Sequence, residues 1–335
     1  MPSVRFATNQ LRHIRSAVVL AAGYGTRLRP LTAHHAKPSL PLFHLPVIGH
    51  ILRQLENTGI SRVFINLHSH AWSVRRALRP VRFRGMEIQY SYEPIILGTA
   101  GALYPLRHVL RSEPFLLING DIVTDLDFLR VIDTHVSHPD TLATLVLHPP
   151  SLTIGFPAVG SSHDGVLTRF PYGNLNRKTP EWTGTFTGIH VINPRIFDFM
   201  PSGGFQCINS SVYARAIRAG HTFGTYRHDG YWNDIGTPDR YFDAHCDIIS
   251  GTVAIPGIPQ SLHPPIWIAP DTVIHPSARL EKMVVIGART RIQPDTHLTQ
   301  VIVLPGCSVP AGSHFQNGIL MPPARFIPIT INEGL

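Results

Sequence analysis

Long apolar runs and paired cysteines are both missing from this 335-residue chain. No stretch of about 18 apolar residues occurs, and residues 1–15 contain no apolar signal core, so we expect neither a membrane-spanning helix nor export. Cys207, Cys246 and Cys307 are widely separated and form no CxxC pair. This spacing argues against a disulfide framework and a thiolate metal site, and we expect a cytoplasmic location.

Acidic residues are also scarce. The chain has 21 Asp and Glu against 29 Lys and Arg, which gives a formal net charge of +8 at pH 7. A basic surface suits polyanionic substrates and would also suit nucleic acid. Because the cations form neither a Lys/Arg run nor a stripe interleaved with aromatics, we expect no nucleic-acid partner. The length favours two domains, and a hydrophobic fraction of 43% is ample for a core.

Residues 18–41, VVLAAGYGTRLRPLTAHHAKPSLP, join an apolar segment to a glycine-rich loop. The apolar start predicts a strand buried on both faces of a mostly parallel sheet. Gly23 and Gly25 tolerate positive φ and allow backbone amides to approach an anion. Arg27 and Lys37 add two cations suited to phosphate oxygens. The glycines alone would fit an ordinary turn, whereas the whole segment favours polyphosphate binding.

Apolar runs alternate with amphipathic stretches over residues 16–249. The pattern predicts strands over 62–67, 87–92, 114–119, 141–147 and 184–192, and helices over 47–58, 70–78, 100–110 and 210–219. We therefore expect the α/β class, with a Rossmann-like, mixed and mostly parallel sheet flanked by helices. Such sheets bind ligands outside the carboxyl ends of their strands, where the glycine-rich loop and Asp121 both fall.

Apolar residues recur every six positions near the end of the chain. They are Ile268, Ile274, Leu280, Ile286, Ile292 and Leu298 and, after a one-residue slip, Val303, Val309, Phe315 and Met321. This period predicts a short left-handed parallel β-helix of about three coils, in preference to an antiparallel sheet. Three coils are few for an acyltransferase, so we expect a module for regulation or for forming a homo-oligomer.

Two aspartates stand at candidate ligand positions. Asp121 ends the predicted strand in PFLLINGD, and Asp234 lies in GYWNDIGTPDRY, where Thr237 and Pro238 favour a helix start. Carboxylates at strand ends can hold Mg²⁺, which prefers oxygen ligands and is often completed by substrate phosphates. Each aspartate could instead cap the turn or helix that follows it.

Several of these segments resemble the signatures of one enzyme family. LAAGYGTRLRPLT followed by a Lys-Pro pair, LGTAGAL, NGDIVTDLDF and YWNDIGT resemble the sugar-1-phosphate nucleotidyltransferases, also called nucleotide-sugar pyrophosphorylases. The resemblance implies condensation of a sugar 1-phosphate with a nucleoside triphosphate to give a nucleotide sugar and pyrophosphate. It also implies Mg²⁺ on Asp121 and Asp234 and catalytic roles for Arg27 and Lys37.

The same resemblance implies further contacts. Nucleotide-binding residues would be Leu20, Ala21, Ala22, Gly23, Gly25, Thr26, Gly98, Thr99 and Gly101. Sugar-phosphate contacts would come from Glu93, Asn119, Gly120, Arg169, Lys178 and Gly188. Many members have a Glu-Lys pair after Phe-Pro, where this chain has Tyr172 and Gly173. Arg169 and Lys178 are candidates to replace the missing lysine.

The resemblance leaves the substrate open. TFTGIHVINPRIFDFM is similar to uridylyltransferases acting on amino-sugar 1-phosphates, whereas LGTAGAL and a short β-helix are similar to mannose-1-phosphate guanylyltransferases. The alternative function is a catalytically silent regulatory subunit that binds nucleotide sugars. The expected parts are an N-terminal extension (1–15), a catalytic domain (16–250), a linker (251–265), the β-helix (266–322) and a tail (323–335).

Overall fold

The computed structural model of the protein describes residues 14–150, 156–173, 175, 179–255 and 265–330. Lys178, most of the expected N-terminal extension, most of the expected linker and the last five residues lie outside the described residues. Within the described ranges, no helix is both long and apolar enough to cross a membrane.

Strands and short helices alternate through the first 250 residues. The strands are β1 (Ser16–Leu20), β2 (Pro41–Leu42), β3 (Leu45–Pro46), β4 (Arg62–Leu67), β5 (Glu87–Tyr92), β6 (Phe115–Asn119), β7 (Ile122–Thr124), β8 (Ala143–His148), β9 (Ala158–Ser161), β10 (Leu167–Arg169), β11 (Trp182–Ile192), β12 (Gly224–Arg227) and β13 (Trp232–Asp234). The α-helices are α1 (Val47–Asn57), α2 (Ala71–Leu78), α3 (Gly98–Gly101), α4 (Arg107–Leu110), α5 (Phe128–Val136), α6 (Ala214–Arg218) and α7 (Pro238–Ile249).

Among the described residues, nine strands form one mixed sheet, which confirms the predicted α/β class. Its main order is β10-β9-β11-β6-β1-β4-β5, and β8 joins β11 with β12 beside it. β1 lies parallel to both β4 and β6, and β4 lies parallel to β5. β11 runs antiparallel to β6, β8 and β9. The parallel half of the sheet therefore brings the carboxyl ends of β1, β4, β5 and β6 to one edge.

Strand β1 is buried on both faces, as its apolar sequence predicts. Val19 packs into a core with Ile65 and residues of α1 and α5. Its neighbour Val18 packs into a second core on the opposite face, with Phe64 and Tyr213. Successive side chains of a strand point to opposite faces, so the adjacent valines belong to different cores.

One predicted helix is wrong, and a second is helical but is not an α-helix throughout. The predicted helix over 100–110 is broken into α3, a 3₁₀ turn (Tyr104–Leu106) and α4. Pro105 interrupts it, because proline lacks the N–H that a helix interior requires. The predicted helix over 210–219 begins as a π-helical turn (Ile208–Tyr213) and continues as α6.

The end of the chain forms three parallel ladders, which we call the parallel coil (residues 266–321). Its strands are β14 (Ile266–Ile268), β15 (Val273–Ile274), β16 (Arg279–Ile286), β17 (Arg291–Ile292), β18 (His297–Val303), β19 (Ser308–Val309) and β20 (His314–Met321), and β21 (Arg325–Pro328) pairs antiparallel with β20. Ile268 pairs with Ile286, and Ile286 pairs with Val303. The predicted positions from Ile268 to Phe315 therefore lie one above another in a parallel arrangement, not in the antiparallel alternative. The prediction of Met321 is wrong, because Leu320 is the residue that pairs with Val303.

A repeated backbone corner accounts for the irregular step in the period. Lys282, Gln300 and Asn317 all have positive φ, at 58°, 53° and 56°. The pairing of β16 with β18 shifts between Glu281 and Val284, where β16 holds one extra residue. The one-residue slip between Leu298 and Val303 thus occurs at the Gln300 corner, and the same short corner at Asn317 makes the next step five residues as well.

The parallel coil shares a hydrophobic core with the sheet region. Val284 and Ile302 pack in the same cluster as Leu31, Tyr241 and Ile248. The coil therefore stabilises the loop after β1 and the helix α7.

Candidate functional site

The glycine-rich loop leaves β1 at its carboxyl end and is held by its own side chains. Gly25 has φ 62°, and its carbonyl accepts a hydrogen bond from Thr32 Oγ1 at 2.7 Å. A Cβ at Gly25 would lie 3.1 Å from the Thr32 methyl group. Arg27 follows in a 3₁₀ turn (Thr26–Leu28). The turn thus requires a residue that tolerates positive φ and leaves room for Thr32.

A buried hydrogen-bonded pair, Asn66 and Glu93, holds the start of this loop in place, and the sequence patterns did not predict this pairing. Asn66, in β4, accepts a hydrogen bond from the Ala21 amide through Oδ1 at 2.7 Å and donates through Nδ2 to Glu93 Oε1 at 2.7 Å. Glu93 Oε2 accepts from the Leu97 amide at 2.9 Å. The available signal was a polar residue near the carboxyl end of an otherwise apolar strand adjacent to β1.

A first cavity of about 350 Å³ opens above this loop. From the predicted nucleotide-binding set it is lined by Leu20, Ala21, Ala22, Gly23, Gly25, Thr26, Gly98 and Thr99, together with Arg27, Lys37 and Asp121. Glu93, predicted to contact the sugar phosphate, lies in the wall of this cavity and not of its neighbour. The cavity gathers glycines and cations, a composition suited to a polyphosphate.

The segment around Gly98 packs against a distant part of the chain. Gly98 has φ 75°, and a Cβ there would lie 2.5 Å from the Gln206 carbonyl oxygen. Thr99 Oγ1 accepts a hydrogen bond from the Ile208 amide at 2.7 Å, so it does not cap its own helix. Gly101 does not line the cavity, and a Cβ there would lie 2.7 Å from the Gly204 carbonyl oxygen. Glycine is required at position 101 because the chain near Gly204 packs closely against it.

Asp121 and Asp234 are brought together by a two-stranded ladder. Gly120 and Asp121 connect β6 to β7, and β7 pairs antiparallel with β13, which places Asp234 opposite Ile122. The Ile235 amide donates to the Asp121 carbonyl at 3.0 Å. The two carboxylates, distant in sequence, therefore end in neighbouring positions, as the resemblance implied.

Each carboxylate has a cationic partner. Lys37 Nζ lies 2.6 Å from Asp121 Oδ2, with the lysine side chain only 11% exposed. Arg240 Nη1 forms an ion pair with Asp234 Oδ1. Burial and the neighbouring charge of Arg27 lower the pKa of Arg240. Arg240 was missed by the sequence patterns, although it lies in the same segment as Asp234.

A second cavity of about 280 Å³ adjoins the first. The two share Leu20, Arg27, Thr99, Asn119 and Asp121. The second cavity is also lined by Asp234 and Gly188 and by the aromatic residues Phe156, Tyr172 and Trp232. A polar junction therefore separates a glycine-rich cavity from an aromatic one.

The remaining predicted sugar-phosphate residues are placed differently. Gly120 lies beneath the site, where its amide donates to the Leu20 carbonyl at 2.8 Å. Arg169, in β10, lines neither of these two adjoining cavities. Lys178 lies outside the described residues.

The donor set fits a magnesium ion that is completed by substrate. No cluster of three or more His, Cys, Asp or Glu side chains with metal-binding geometry occurs in the described ranges. Asp121 and Asp234 each have one oxygen outside their ion pairs. A Cβ on Gly236 would lie 3.5 Å from Asp234 Oδ2 and 3.6 Å from Arg27 Nη2, so glycine keeps this space open. Mg²⁺ is commonly held by one or two carboxylates plus phosphates.

A larger cavity lies elsewhere. It measures about 890 Å³ and lies between α2 and the parallel coil, where Trp72 and Trp267 line it. None of the predicted site residues contributes to it. Cavity size alone would therefore misplace the site, whereas the carboxylates and the glycine-rich loop locate it.

Comparison with known proteins identifies the family. Residues 16–251 match the nucleotidyl transferase family, to which the chain therefore belongs, and the predicted family is confirmed. The chain is 33% identical over 236 residues to the N-acetylmuramate alpha-1-phosphate uridylyltransferase of Neisseria meningitidis, covering 68% of this chain and 96% of that protein.

Two further relatives cover more of the chain. It is 26% identical over 330 residues to a UTP–glucose-1-phosphate uridylyltransferase of Synechocystis, covering 93% of this chain and 84% of the relative. It is 27% identical over 312 residues to a mannose-1-phosphate guanylyltransferase of Mycobacterium tuberculosis, covering 90% and 82%. These relatives are sugar-1-phosphate nucleotidyltransferases.

A solved structure supports the fold alone. The crystal structure of HddC from Yersinia pseudotuberculosis matches with a TM-score of 0.55 and 21% identity. The match covers 69% of this chain and 97% of that chain.

Proposed function

We propose that the protein condenses a sugar 1-phosphate with a nucleoside triphosphate, giving a nucleotide sugar and pyrophosphate. One observation carries this proposal: two adjoining cavities share Arg27, Thr99, Asn119 and Asp121. The glycine-rich cavity suits the nucleotide, and the aromatic cavity suits the sugar phosphate. The α-phosphorus would then lie at their junction.

The reaction needs no nucleophile from the protein. An oxygen of the sugar phosphate attacks the α-phosphorus, and its new bond forms as the bond to pyrophosphate breaks and pyrophosphate takes the electron pair. Catalysis of this kind depends on positioning and on neutralising phosphate charge. Arg27 would steady the departing pyrophosphate, and Lys37 would neutralise the reacting phosphates. Mg²⁺ held by Asp121 and Asp234 would supply further charge neutralisation.

The sugar phosphate would be held in the second cavity. Asn119 is one of the polar side chains that line both cavities, and Gly188 leaves the room that the Asn119 side-chain amide occupies. Phe156 and Trp232 line this cavity, and we propose that the apolar side of a pyranose packs against them. Because Arg169 does not line this cavity, we favour Asn119 as the contact that stands in for the missing Glu-Lys pair.

The substrate pair is a narrower proposal. We favour either a mannose-1-phosphate guanylyltransferase or a uridylyltransferase acting on glucose or N-acetyl amino-sugar 1-phosphates. Relatives of both kinds, at 26–33% identity, support this choice equally. The expected cytoplasmic location accords with such an activity.

A matrix assay of pyrophosphate release tests the proposal. Four nucleoside triphosphates would be crossed with glucose, mannose, galactose and amino-sugar 1-phosphates in the presence of Mg²⁺. We expect release with at least one pair, and a loss of at least about 100-fold in Asp121→Asn. Arg130→Ala, at an exposed residue of α5, is the matched control and should retain activity. Absence of release from every pair would contradict the proposal.

The alternative is a silent regulatory subunit that binds nucleotide sugars. The absence of the Glu-Lys pair favours it. The presence of Arg27, Lys37, Asp121 and Asp234 around the two cavities favours an enzyme. Tight binding of a nucleotide sugar without pyrophosphate release would select the subunit.

For the parallel coil we propose a left-handed β-helix that joins copies of the chain. β14 lies at the end of its ladder, with no further strand beside it among the described residues. Ile268 and Val273 on this first coil are 45% and 57% exposed. An uncovered strand edge with exposed apolar side chains is a natural pairing surface. Light scattering should show that Val273→Glu forms a smaller assembly than the unsubstituted protein. The melting temperature of the variant should be unchanged, which excludes unfolding as the cause.

A further inference from the structure

Lys37 occupies one of the two carboxylate oxygens of Asp121, the residue expected to hold the metal ion, and neutralises its charge. Its Nζ lies 2.6 Å from Asp121 Oδ2. The backbone around it is held independently: Ala36 donates to Ser73 Oγ at 2.9 Å, and Leu40 donates to the Lys37 carbonyl at 3.2 Å. The flexible four-carbon stem can therefore move while the main chain stays fixed.

Asp234 is neutralised in the same way. Its Oδ1 is paired with Arg240, and Arg27 Nη2 and Asp234 Oδ2 both border the space above Gly236. A divalent cation entering this site alone would meet two carboxylates that already have positive partners. The like charges of Lys37 and the metal would oppose each other at short range.

A triphosphate changes this balance. Lys37 lines the first cavity together with Gly23 and Gly25, so phosphates lying on the glycine-rich loop come within its reach. Phosphate oxygens compete for the ammonium group, and their negative charge attracts the metal. Both effects release Asp121 for coordination.

We propose that Lys37 acts as a placeholder for the metal at Asp121, and that a nucleoside triphosphate draws it away and so creates the metal site. The proposal deepens the proposed function and rests on it. Lys37 is then a positioning residue for the metal before it becomes a contact of the phosphates. Metal and nucleotide would bind with positive coupling, each strengthening the other.

Two binding measurements, neither of which needs catalysis, test whether Lys37 and the metal exchange places at Asp121. The first follows Mn²⁺ binding to the full chain alone, by the electron paramagnetic resonance of free Mn²⁺. We expect Lys37→Met to bind Mn²⁺ at least about tenfold more tightly than the unsubstituted protein, about 1.4 kcal/mol. The second measures nucleoside triphosphate binding in EDTA by calorimetry. There Lys37→Met should bind at least about tenfold more weakly.

Tighter Mn²⁺ binding together with weaker nucleotide binding shows that Lys37 and the metal compete for Asp121. A variant whose site is merely distorted would bind both ligands more weakly. Asp121→Asn added to Lys37→Met should abolish the gained Mn²⁺ affinity, and this control locates the ion. Lys37→Gln replaces Lys37→Met if the latter has a lower melting temperature. Unchanged or weaker Mn²⁺ binding in the folded variant overturns the exchange. Failure of every nucleoside triphosphate to bind would instead overturn the proposed function, because the Mn²⁺ measurement contains no nucleotide.

Discussion

Asn66 and Glu93 form a buried hydrogen-bonded pair that joins the glycine-rich loop to the segment before Gly98. Their side chains meet at 2.7 Å, and the residues are only 3% and 1% exposed. Asn66 holds the Ala21 amide, and Glu93 holds the Leu97 amide. Both walls of the first cavity therefore depend on one polar contact in the interior.

Asn66→Ala should destabilise the protein by about 2–4 kcal/mol, because it leaves the Ala21 amide and a buried Glu93 oxygen without their partners. Urea unfolding measures this loss. Thr58→Ala is the matched control, since it removes a 2.7 Å hydrogen bond to the Gln54 carbonyl at the end of α1, away from the site. We expect about 1 kcal/mol there. Equal losses in the two variants would contradict a special role for Asn66.

Gly188→Ala should reduce kcat/KM for the sugar 1-phosphate by roughly 10- to 100-fold, because its Cβ would overlap the Asn119 side-chain amide and displace it. Gly188 has φ 79°. Gly220, with φ 89° and open space around its Cβ position, is the matched control. Both alanines carry the cost of left-handed backbone, about 1–2 kcal/mol. Steady-state kinetics beside urea unfolding should show similar stability losses and a kinetic loss in Gly188→Ala alone.

Arg240→Ala should cost about 1–3 kcal/mol of unfolding free energy, because it leaves Asp234 with a side chain only 13% exposed and no positive partner. Arg240 also lies over the Phe156 ring, 5.7 Å from its centroid. Arg130→Ala breaks a pair with Asp127 that is 75% and 52% exposed and should change stability by less than about 0.5 kcal/mol. Thermal and urea unfolding compare the two, and equal effects would argue against a partly buried ion pair at Asp234.

The unfolding free energy should fall as the pH drops from 6.5 toward 4. Burial lowers the pKa of His245 from 6.5 to about 4. Between these pH values the histidine is protonated in the unfolded chain and neutral in the folded protein. Stability from this group is intact above pH 6.5 and lost below it. At pH 5 the loss for one such histidine is about 2 kcal/mol.

His245→Phe tests this directly, because it removes the titrating group while keeping an aromatic side chain against Phe43 and Tyr241. The decrease in unfolding free energy between pH 7 and pH 5 should shrink by about 2 kcal/mol in this variant. Substitution of the exposed His34 by Phe is the control and should leave the decrease unchanged. Identical pH profiles for His245→Phe and the unsubstituted protein would contradict burial as the cause.

Short-range patterns predicted the strands of the parallel region well. β4 and β5 match the predicted residues 62–67 and 87–92. β4 is mostly apolar, whereas in β5 Ile88, Tyr90 and Tyr92 alternate with polar residues, and both patterns favour strands. The single helix predicted over 100–110 was wrong. Its apolar residues have helical spacing, but Pro105 breaks the helix into shorter turns. Asp127 caps α5 by accepting a hydrogen bond from the Leu129 amide at 3.0 Å, the role that aspartate commonly takes before a helix. The sequence thus predicts an element best where the pattern of apolar residues and the conformational preferences of the individual residues favour the same structure.

The sequence by itself determined which residue types could bind phosphate and metal. Gly25, Arg27, Lys37 and Asp121 lie in or beside segments whose strand, turn and charge patterns are local, and parallel strands share one carboxyl edge. Only the tertiary structure decided which groups meet. The pairing of β7 with β13 places Asp234 beside Asp121, and Lys37 reaches the same carboxylate from another loop. Such contacts depend on long-range register and on the packing of side chains from separate elements, which no local pattern encodes.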